Sequence, residues 1–136
     1  MQMLTVMSPC AYRVEAHTSI TEAQEIMKSH GIRHLPVIDE DDVIGMLSER
    51  DIQRAKALGK DTYSTAGEVC SPDLHIALTT DSVADVVRDM SVKKSDCVLV
   101  SDEDETFVGI FTTTDCCRLL CLALEEIALR RANPVT

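Results

Sequence analysis

Apolar residues recur at intervals of three and four positions in two stretches of the chain, and this spacing predicts two amphipathic helices with one buried face each. The stripes are Ile20, Ala23 and Met27 in the first stretch and Val83, Val86 and Met90 in the second. Thr18 and Asp81 stand just before the stripes, and both are residue types that cap helix N-termini. We therefore expect the two helices to begin beside these residues.

Short runs with a β-rich composition follow each predicted helix, and an acidic turn divides each pair of runs. The runs are "HLPVI" and "VIGML" around Asp39 to Asp42, then "CVLV" and "FVGIF" around Asp102 to Thr106. A short extended piece precedes each first helix, at Tyr12 to Ala16 and at Leu74 to Leu78. A second helix is predicted after each pair, from about Glu49 to Leu58 and from about Thr113 to Arg131.

These elements repeat because the sequence itself repeats. "VMSP" at Val6 returns as "VCSP" at Val69, an offset of 63 residues that becomes 64 after the acidic turn. The organisation we predict is a first repeat over residues 1–58, a linker over 59–68 and a second repeat over 69–136 with an extended C-terminal helix. Each repeat has the order β-α-β-β-α, which gives a mixed α/β (α+β) fold.

The last predicted helix carries more apolar residues than one face of a surface helix needs. They include Leu119, Leu122 and Leu129. Two explanations remain open: this face packs across both repeats, or it forms a homodimer contact, since so wide an apolar face is otherwise exposed.

One phrase occurs in both repeats, as "VIGMLSERD" and "FVGIFTTTD". Gly45 and Gly109 lie inside strand patterns, where glycine is expected if another chain segment or a ligand approaches the backbone. Ser48 with Asp51, and Thr112 with Asp115, have the spacing of a capping box at a helix start. A hydroxyl and a carboxylate beside a strand whose glycine has no side chain also suit a ribose. A carboxylate can accept hydrogen bonds from both adjacent hydroxyls of the ribose.

Charge and composition exclude several classes of function. The formal net charge is −10 and there are two Tyr, two Phe and no Trp, which argues against binding a nucleic-acid duplex or stacked bases. No apolar run is long enough to span a bilayer, so we expect a cytoplasmic protein with no membrane contact. Six cysteines and four scattered histidines favour buried, reduced thiols over a metal site.

With these features in place, residues 4–120 resemble a tandem pair of cystathionine β-synthase (CBS) domains, called a Bateman module. The resemblance rests on "VMSP" and on "SITEAQEIMKSHGIRHLPVIDEDDVIGMLSERDI" with its second copy. It implies two pseudo-symmetric repeats packed sheet to sheet, with clefts for adenosyl ligands such as AMP, ATP or S-adenosylmethionine.

The resemblance also assigns roles to individual residues. Asp51 and Asp115 would hold ribose hydroxyls, assisted by Ser48 and Thr112. The other ligand-binding positions it implies are Val14, Ala16, Ile76, Leu78, Met46 and Ile110 around adenine, Arg33, His34 and Arg50 near phosphates, and Pro36 in the same strand. The second copy reads "SDCVLV" where the first reads "IRHLPV", and Thr114 replaces Arg50, so we expect the two clefts to differ.

The sequence thus favours a regulatory module that binds an adenosyl ligand, without a required cofactor, and that controls a partner protein the sequence does not name. A ligand can shift such a module only by its affinity difference between two states. The alternative is a ligand-free scaffold for interaction or dimerisation. No set of nucleophile, base and orienting residue is visible, so we do not expect an enzyme.

Overall fold

A computed structural model describes residues 1–10, 12–60 and 64–133 of the chain. A short 3-10 helix at Met3–Thr5 precedes the regular elements. The strands are β1 Ser8–Pro9, β2 Val14–Glu15, β3 His34–Asp39, β4 Asp42–Ser48, β5 Ile76–Leu78, β6 Cys97–Ser101 and β7 Phe107–Thr112. The helices are α1 Ile20–His30, α2 Glu49–Ala57, α3 Ala66–Val69, α4 Val83–Lys93 and α5 Thr113–Ala132. The predicted β-α-β-β-α order is confirmed in both halves.

The helix caps differ from the prediction by one residue. Ser19 is the N-cap of α1, where its hydroxyl accepts a hydrogen bond from the amide of Glu22 at 3.1 Å. Ser82 is the N-cap of α4. The prediction that Asp81 caps α4 was wrong. The carboxylate of Asp81 instead closes the preceding turn by accepting a hydrogen bond from the amide of Leu78 at 2.9 Å. The prediction of Thr18 was likewise one residue early.

The first compact unit spans Cys10–Leu74 and contains a three-stranded sheet in the order β2-β3-β4. β2 runs parallel to β3, and β3 runs antiparallel to β4. The predicted stripe of α1 lies in the core of this unit, which confirms the helical spacing. The core residues are Val14, Ile20, Ala23, Met27, Leu35, Val37, Leu47, Ile52, Ala55 and Ala66.

The second compact unit combines Met1–Pro9 with the chain from His75 onward. Its sheet has the order β1-β7-β6-β5, with β5 parallel to β6 and the other pairs antiparallel. The stripe of α4 is buried here, again as predicted. The core residues are Met3, Ala77, Val83, Val86, Met90, Val98, Val100 and Phe111.

The two Ser-Pro segments each join the hairpin of the other sequence repeat. Ser8 at the start of the chain pairs with Ile110 of β7. Ser71, from the second repeat, pairs with Met46 of β4. The compact units therefore divide the chain differently from the repeats at 1–58 and 69–136, and this sequence division stays a prediction. Of the predicted linker, residues 66–68 are helical and residues 61–63 lie outside the described part.

Helix α5 packs on its own unit only at its beginning. Asp115 is buried, and Cys116 and Leu119 contact the core. Beyond this point the large apolar side chains are between 46% and 65% exposed, namely Leu120, Leu122, Leu124, Ile127 and Leu129. No helix in the described part of the chain is long and apolar enough to cross a membrane.

Candidate functional site

The first copy of the repeated phrase forms a reciprocal capping box at the start of α2. The backbone amide of Ser48 donates to Oδ2 of Asp51 at 2.9 Å. The hydroxyl of Ser48 in turn accepts from the backbone amide of Asp51 at 3.0 Å. The capping interpretation is confirmed, yet it uses only one carboxylate oxygen of Asp51, which is half-buried. The other oxygen, Oδ1, is not part of the box.

The two strand glycines are explained by chain segments that cross them. A Cβ atom built on Gly45 would lie 2.6 Å from the carbonyl oxygen of Ser71 and 2.6 Å from the thiol sulfur of Cys70. A Cβ atom on Gly109 would meet the side chain of Met7 and lie 3.0 Å from the carbonyl oxygen of Ser8. Of the two causes that the sequence left open, the close approach of a chain segment is therefore observed.

Several predicted residues of the first repeat gather where β3 and β4 meet the start of α2. His34 is the cross-strand neighbour of Ser48, and Pro36 is that of Met46. The carbonyl of Arg33 accepts from the first amide of α2, at Glu49, at 2.9 Å. These contacts place a basic segment next to the Ser48 and Asp51 capping box. We call this region the Asp51 motif, consisting of Arg33, His34, Pro36, Met46, Ser48, Arg50 and Asp51.

The side chain of Arg33 is held only loosely. It is 80% exposed and its Nε lies 3.9 Å from Oε2 of Glu49, whose side chain is 43% exposed. An exposed ion pair of this length contributes little to stability. Arg33 can therefore turn toward an incoming anion at low cost. Arg50, the second residue of α2, is also exposed.

A thiol adds to the electrostatics of the Asp51 motif. Burial raises the pKa of the Cys70 thiol, and the neighbouring Asp51 carboxylate raises that pKa further. Its sulfur donates weakly to the carbonyl of Gly67 at 3.5 Å. Cys70 is therefore a neutral, protonated thiol at neutral pH, and it adds no negative charge to the motif.

The second copy of the phrase is built differently around Asp115. The backbone amide of Thr112 donates to Oδ2 of Asp115 at 2.8 Å, and the Thr112 hydroxyl donates to the same oxygen at 3.2 Å. The guanidinium of Arg118 donates to Oδ1 at 3.0 Å. Both oxygens of Asp115 are therefore occupied, and its side chain is only 8% exposed.

The basic residues of the first motif have no counterpart here. The carbonyl of Asp96 accepts from the amide of Thr113 at 3.0 Å, so Asp96 occupies the place that Arg33 has in the first repeat. Cys97 faces Thr112 across the strands, as His34 faces Ser48. An acid and a thiol thus replace the basic pair. We call the region formed by Asp96, Cys97, Ile110, Thr112 and Asp115 the Asp115 motif.

The strand residues predicted to line the adenine pockets do not occupy equivalent positions. Val14 pairs with Val37 in the first sheet, as Ala77 pairs with Val100 in the second, so the equivalent of Val14 is Ala77. Val14 belongs to a hydrophobic core. Ile76 and Leu78 flank the buried Ala77 and are 48% and 46% exposed. They therefore face the opposite side of their own sheet from Ala77, the equivalent of Val14. Ala16 is partly buried against the core of the first unit.

The cysteines divide into two classes. Burial raises the pKa of the Cys10 and Cys116 thiols, as it does for Cys70. Cys117 and Cys121 are exposed, which corrects the expectation that all the thiols are buried. Within residues 1–10, 12–60 and 64–133, no group of three or more His, Cys, Asp or Glu side chains is placed to hold a metal ion.

Two features of these motifs were missed by sequence reasoning. The crossing of Cys70 and Ser71 over Gly45 joins residues of different repeats, and no local pattern signals it. The ion pair between Arg118 and Asp115 does have a local signal, because residues three apart on a helix are neighbours.

Comparison with known protein families gives two matches along the chain. The CBS domain family matches residues 4–58 and again residues 66–121. Among relatives, Hypoxic response protein 1 of Mycobacterium tuberculosis is 33% identical over 110 residues, which are 79% of this chain and 76% of that protein. The L-aspartate semialdehyde sulfurtransferase of Methanocaldococcus jannaschii is 34% identical over 109 residues, or 78% of this chain. This chain spans only 21% of the length of that enzyme.

A solved structure shares the fold with a TM-score of 0.80 and 30% sequence identity. It is the crystal structure of a CBS domain pair in complex with 5′-methylthioadenosine and S-adenosyl-L-methionine. The similarity covers 88% of this chain and 95% of that one.

Proposed function

This chain belongs to the CBS domain family and carries two copies of the domain, and from that premise we propose that it is a regulatory module that binds an adenosyl ligand. The observation that carries the proposal is the Asp51 motif. There a half-buried carboxylate keeps one oxygen outside its capping box, and the loosely held Arg33 belongs to the same motif. The structural relative that binds 5′-methylthioadenosine and S-adenosylmethionine supports the ligand class.

The proposed contacts follow from the chemistry of each group. A carboxylate oxygen accepts hydrogen bonds from the vicinal hydroxyls of a ribose. The start of α2 favours nearby anionic groups, and Arg33, Arg50 and His34 can supply charge-assisted donors to a phosphate or carboxylate. The role is non-catalytic: a ligand that prefers one of two conformations shifts the population toward it. AMP, ATP, 5′-methylthioadenosine and S-adenosylmethionine are the candidates.

Thermal unfolding with each candidate at millimolar concentration tests the proposal. A ligand that binds only the folded chain must raise the midpoint, by an amount that grows with concentration over Kd. GMP serves as the control because it keeps the ribose and phosphate but changes the base. We expect at least one adenosyl compound to raise the midpoint and GMP to leave it unchanged. No rise with any of them would contradict ligand sensing and favour the scaffold.

We also propose that the chain forms a homodimer in the cytoplasm, through the exposed side of α5. A shallow, open apolar surface, which we call the groove, runs along this helix and is formed by Cys117, Leu120, Cys121, Leu124, Glu125 and Ala128. Most of these positions repeat at four and three residues, the spacing of a helix–helix seam. Two exposed thiols in the groove suit a reducing compartment.

A second copy of the helix can cover this groove along its length. If two such helices cross antiparallel at the middle of the groove, between Leu122 and Ala123, Cys117 of one copy lies level with Ala128 of the other and Cys121 lies level with Leu124. The groove can therefore pair with its own copy.

Light scattering at micromolar concentration tests the dimer. We expect a dimer for the unmodified chain and a monomer when Leu120 and Leu124 are both changed to Glu, because two buried carboxylates are costly in an apolar seam. Changing Leu122 and Leu129 to Glu provides a matched control, since neither residue lines the groove. A monomeric unmodified chain, or equal effects of both pairs, would contradict the groove as the interface.

A further inference from the structure

The two ribose-type carboxylates of this chain have the same sequence motif but differ in what already occupies them. At Asp115 three hydrogen bonds are in place: two from Thr112 to Oδ2 and one from Arg118 to Oδ1. At Asp51 the capping box uses Oδ2 alone. A carboxylate has about four lone-pair sites, so Asp115 has little acceptor capacity left.

The solvent exposure of the two aspartates also indicates that Asp115 is less available to a ligand than Asp51. The side chain of Asp115 is 8% exposed, whereas Asp51 is only half-buried. The two vicinal hydroxyls of a ribose need two acceptor sites, so Asp115 can accept both only if the guanidinium of Arg118 leaves Oδ1. The side chain of Arg118 is 63% exposed, so it can swing out into water without leaving its own group desolvated. Arg118 therefore contacts Asp115 in this structure, and this contact can break without a large desolvation cost to Arg118.

The first repeat offers an internal comparison. Arg54 follows Asp51 by three residues, as Arg118 follows Asp115. Within residues 12–60, no ion pair joins Arg54 to Asp51. Arg118 is therefore paired with the aspartate three residues before it, whereas Arg54, at the same spacing, is not paired with Asp51.

We propose that Arg118 is a specificity-determining residue that blocks the second ribose-binding carboxylate, so that an adenosyl ligand binds at the Asp51 motif in preference to the Asp115 motif. This inference rests on the proposed adenosyl function and states which of the two motifs performs it. Arg118 competes with the ligand for Oδ1 of Asp115. It is therefore an autoinhibitory contact for that motif, and the chain takes up one ligand before the other.

The test uses 5′-methylthioadenosine, which has both ribose hydroxyls and no phosphate. Removing a cation therefore has no direct ion-pair effect on the ligand itself. Titration calorimetry compares the unmodified chain, Asp51→Ala, Asp51→Ala with Arg118→Ala, and Asp51→Ala with Arg54→Ala. The Asp51→Ala background leaves Asp115 as the ribose acceptor, and Arg54→Ala is the matched control. Urea unfolding of each variant establishes that it is folded.

Removing Arg118 in this background should tighten binding by about two- to fivefold, the range expected for releasing an exposed ion pair. Removing Arg54 should leave the affinity unchanged. Binding that is unchanged or weaker without Arg118 would overturn the proposal while leaving the proposed function intact. If the unmodified chain binds no 5′-methylthioadenosine, the ligand assignment fails and this inference falls with it.

Discussion

At the scale of single residues, Arg33 is the clearest candidate for reading a ligand phosphate. Its only described side-chain partner is Glu49 at 3.9 Å, and both side chains are well exposed. In a chain of net charge −10 the average field repels an anion, so a phosphate needs donors at short range. The weak ion pair to Glu49 leaves Arg33 able to supply them.

We therefore expect Arg33→Ala to weaken AMP binding about tenfold or more, since a charge-assisted contact is lost. Adenosine, which has no phosphate, should bind almost as before. Arg88→Ala is the control, because Arg88 forms an exposed ion pair with Asp85 on α4. Equal losses for AMP and adenosine in calorimetry would mean that Arg33 shapes the pocket and does not read the phosphate.

His75 makes a second prediction at this scale. Burial lowers the pKa of its imidazole below the ordinary value, and the Lys93 ammonium lowers that pKa further, while Asp89 opposes both. Its Nδ1 lies 2.6 Å from the hydroxyl of Ser95. The folded state thus favours the neutral imidazole of His75, and as the pH falls through the unfolded pKa of about 6.5 the unfolded state binds more protons at this site.

Stability should accordingly fall as the pH drops from about 7 toward 5. His75→Gln should reduce this dependence, whereas His17→Gln, at an exposed site, should not. The measurement is the free energy of unfolding in urea across that pH range. An unchanged slope in His75→Gln would show that His75 does not contribute.

At the scale of elements, the strand glycines mark the positions where another segment of the chain crosses a strand. Gly45 in β4 is crossed by the backbone of Ser71, and Gly109 in β7 is crossed mainly by the Met7 side chain. A backbone carbonyl 2.6 Å from an added Cβ cannot move without disturbing the pairing of Met46 with Ser71. A methionine side chain can adopt another rotamer.

Gly45→Ala should therefore cost about 1–3 kcal/mol of stability, the usual range for overpacking, and Gly109→Ala should cost less. Equilibrium urea unfolding of the two variants measures the difference directly. The reverse order would indicate that Met7 is more rigidly held than its side-chain flexibility suggests.

The elements also show what the sequence could and could not predict. The stripe from Ile20 to Met27 and the strand runs around the acidic turns were located correctly, because helical and strand periods are local signals. The caps at Ser19 and Ser82 were missed by one residue, since neighbouring residues of suitable type compete for the cap. The pairing of Ser8 with β7 was not predicted, because exchange between repeats has no local pattern.

At the scale of the whole molecule, two similar motifs have become chemically unequal. The sequence predicted this inequality from the loss of Arg33 and His34 in the second copy. The structure adds a further difference that the sequence did not show, namely Arg118 on Asp115. The proposed site residues between Arg33 and Asp51 gather at the Asp51 motif, while Ile76 and Leu78 do not match the positions of Val14 and Ala16.

The central claim is that the Asp51 carboxylate holds the ribose of an adenosyl ligand in addition to capping α2. Titration calorimetry with AMP and 2′-deoxy-AMP on the unmodified chain and on Asp51→Ala tests it most directly. The unmodified chain should bind AMP more tightly than 2′-deoxy-AMP. Asp51→Ala should lose about 1.5–3 kcal/mol of AMP affinity and most of that preference, besides about 1 kcal/mol of stability from the cap. Unchanged AMP affinity in folded Asp51→Ala would contradict the claim and leave Asp51 with the cap alone.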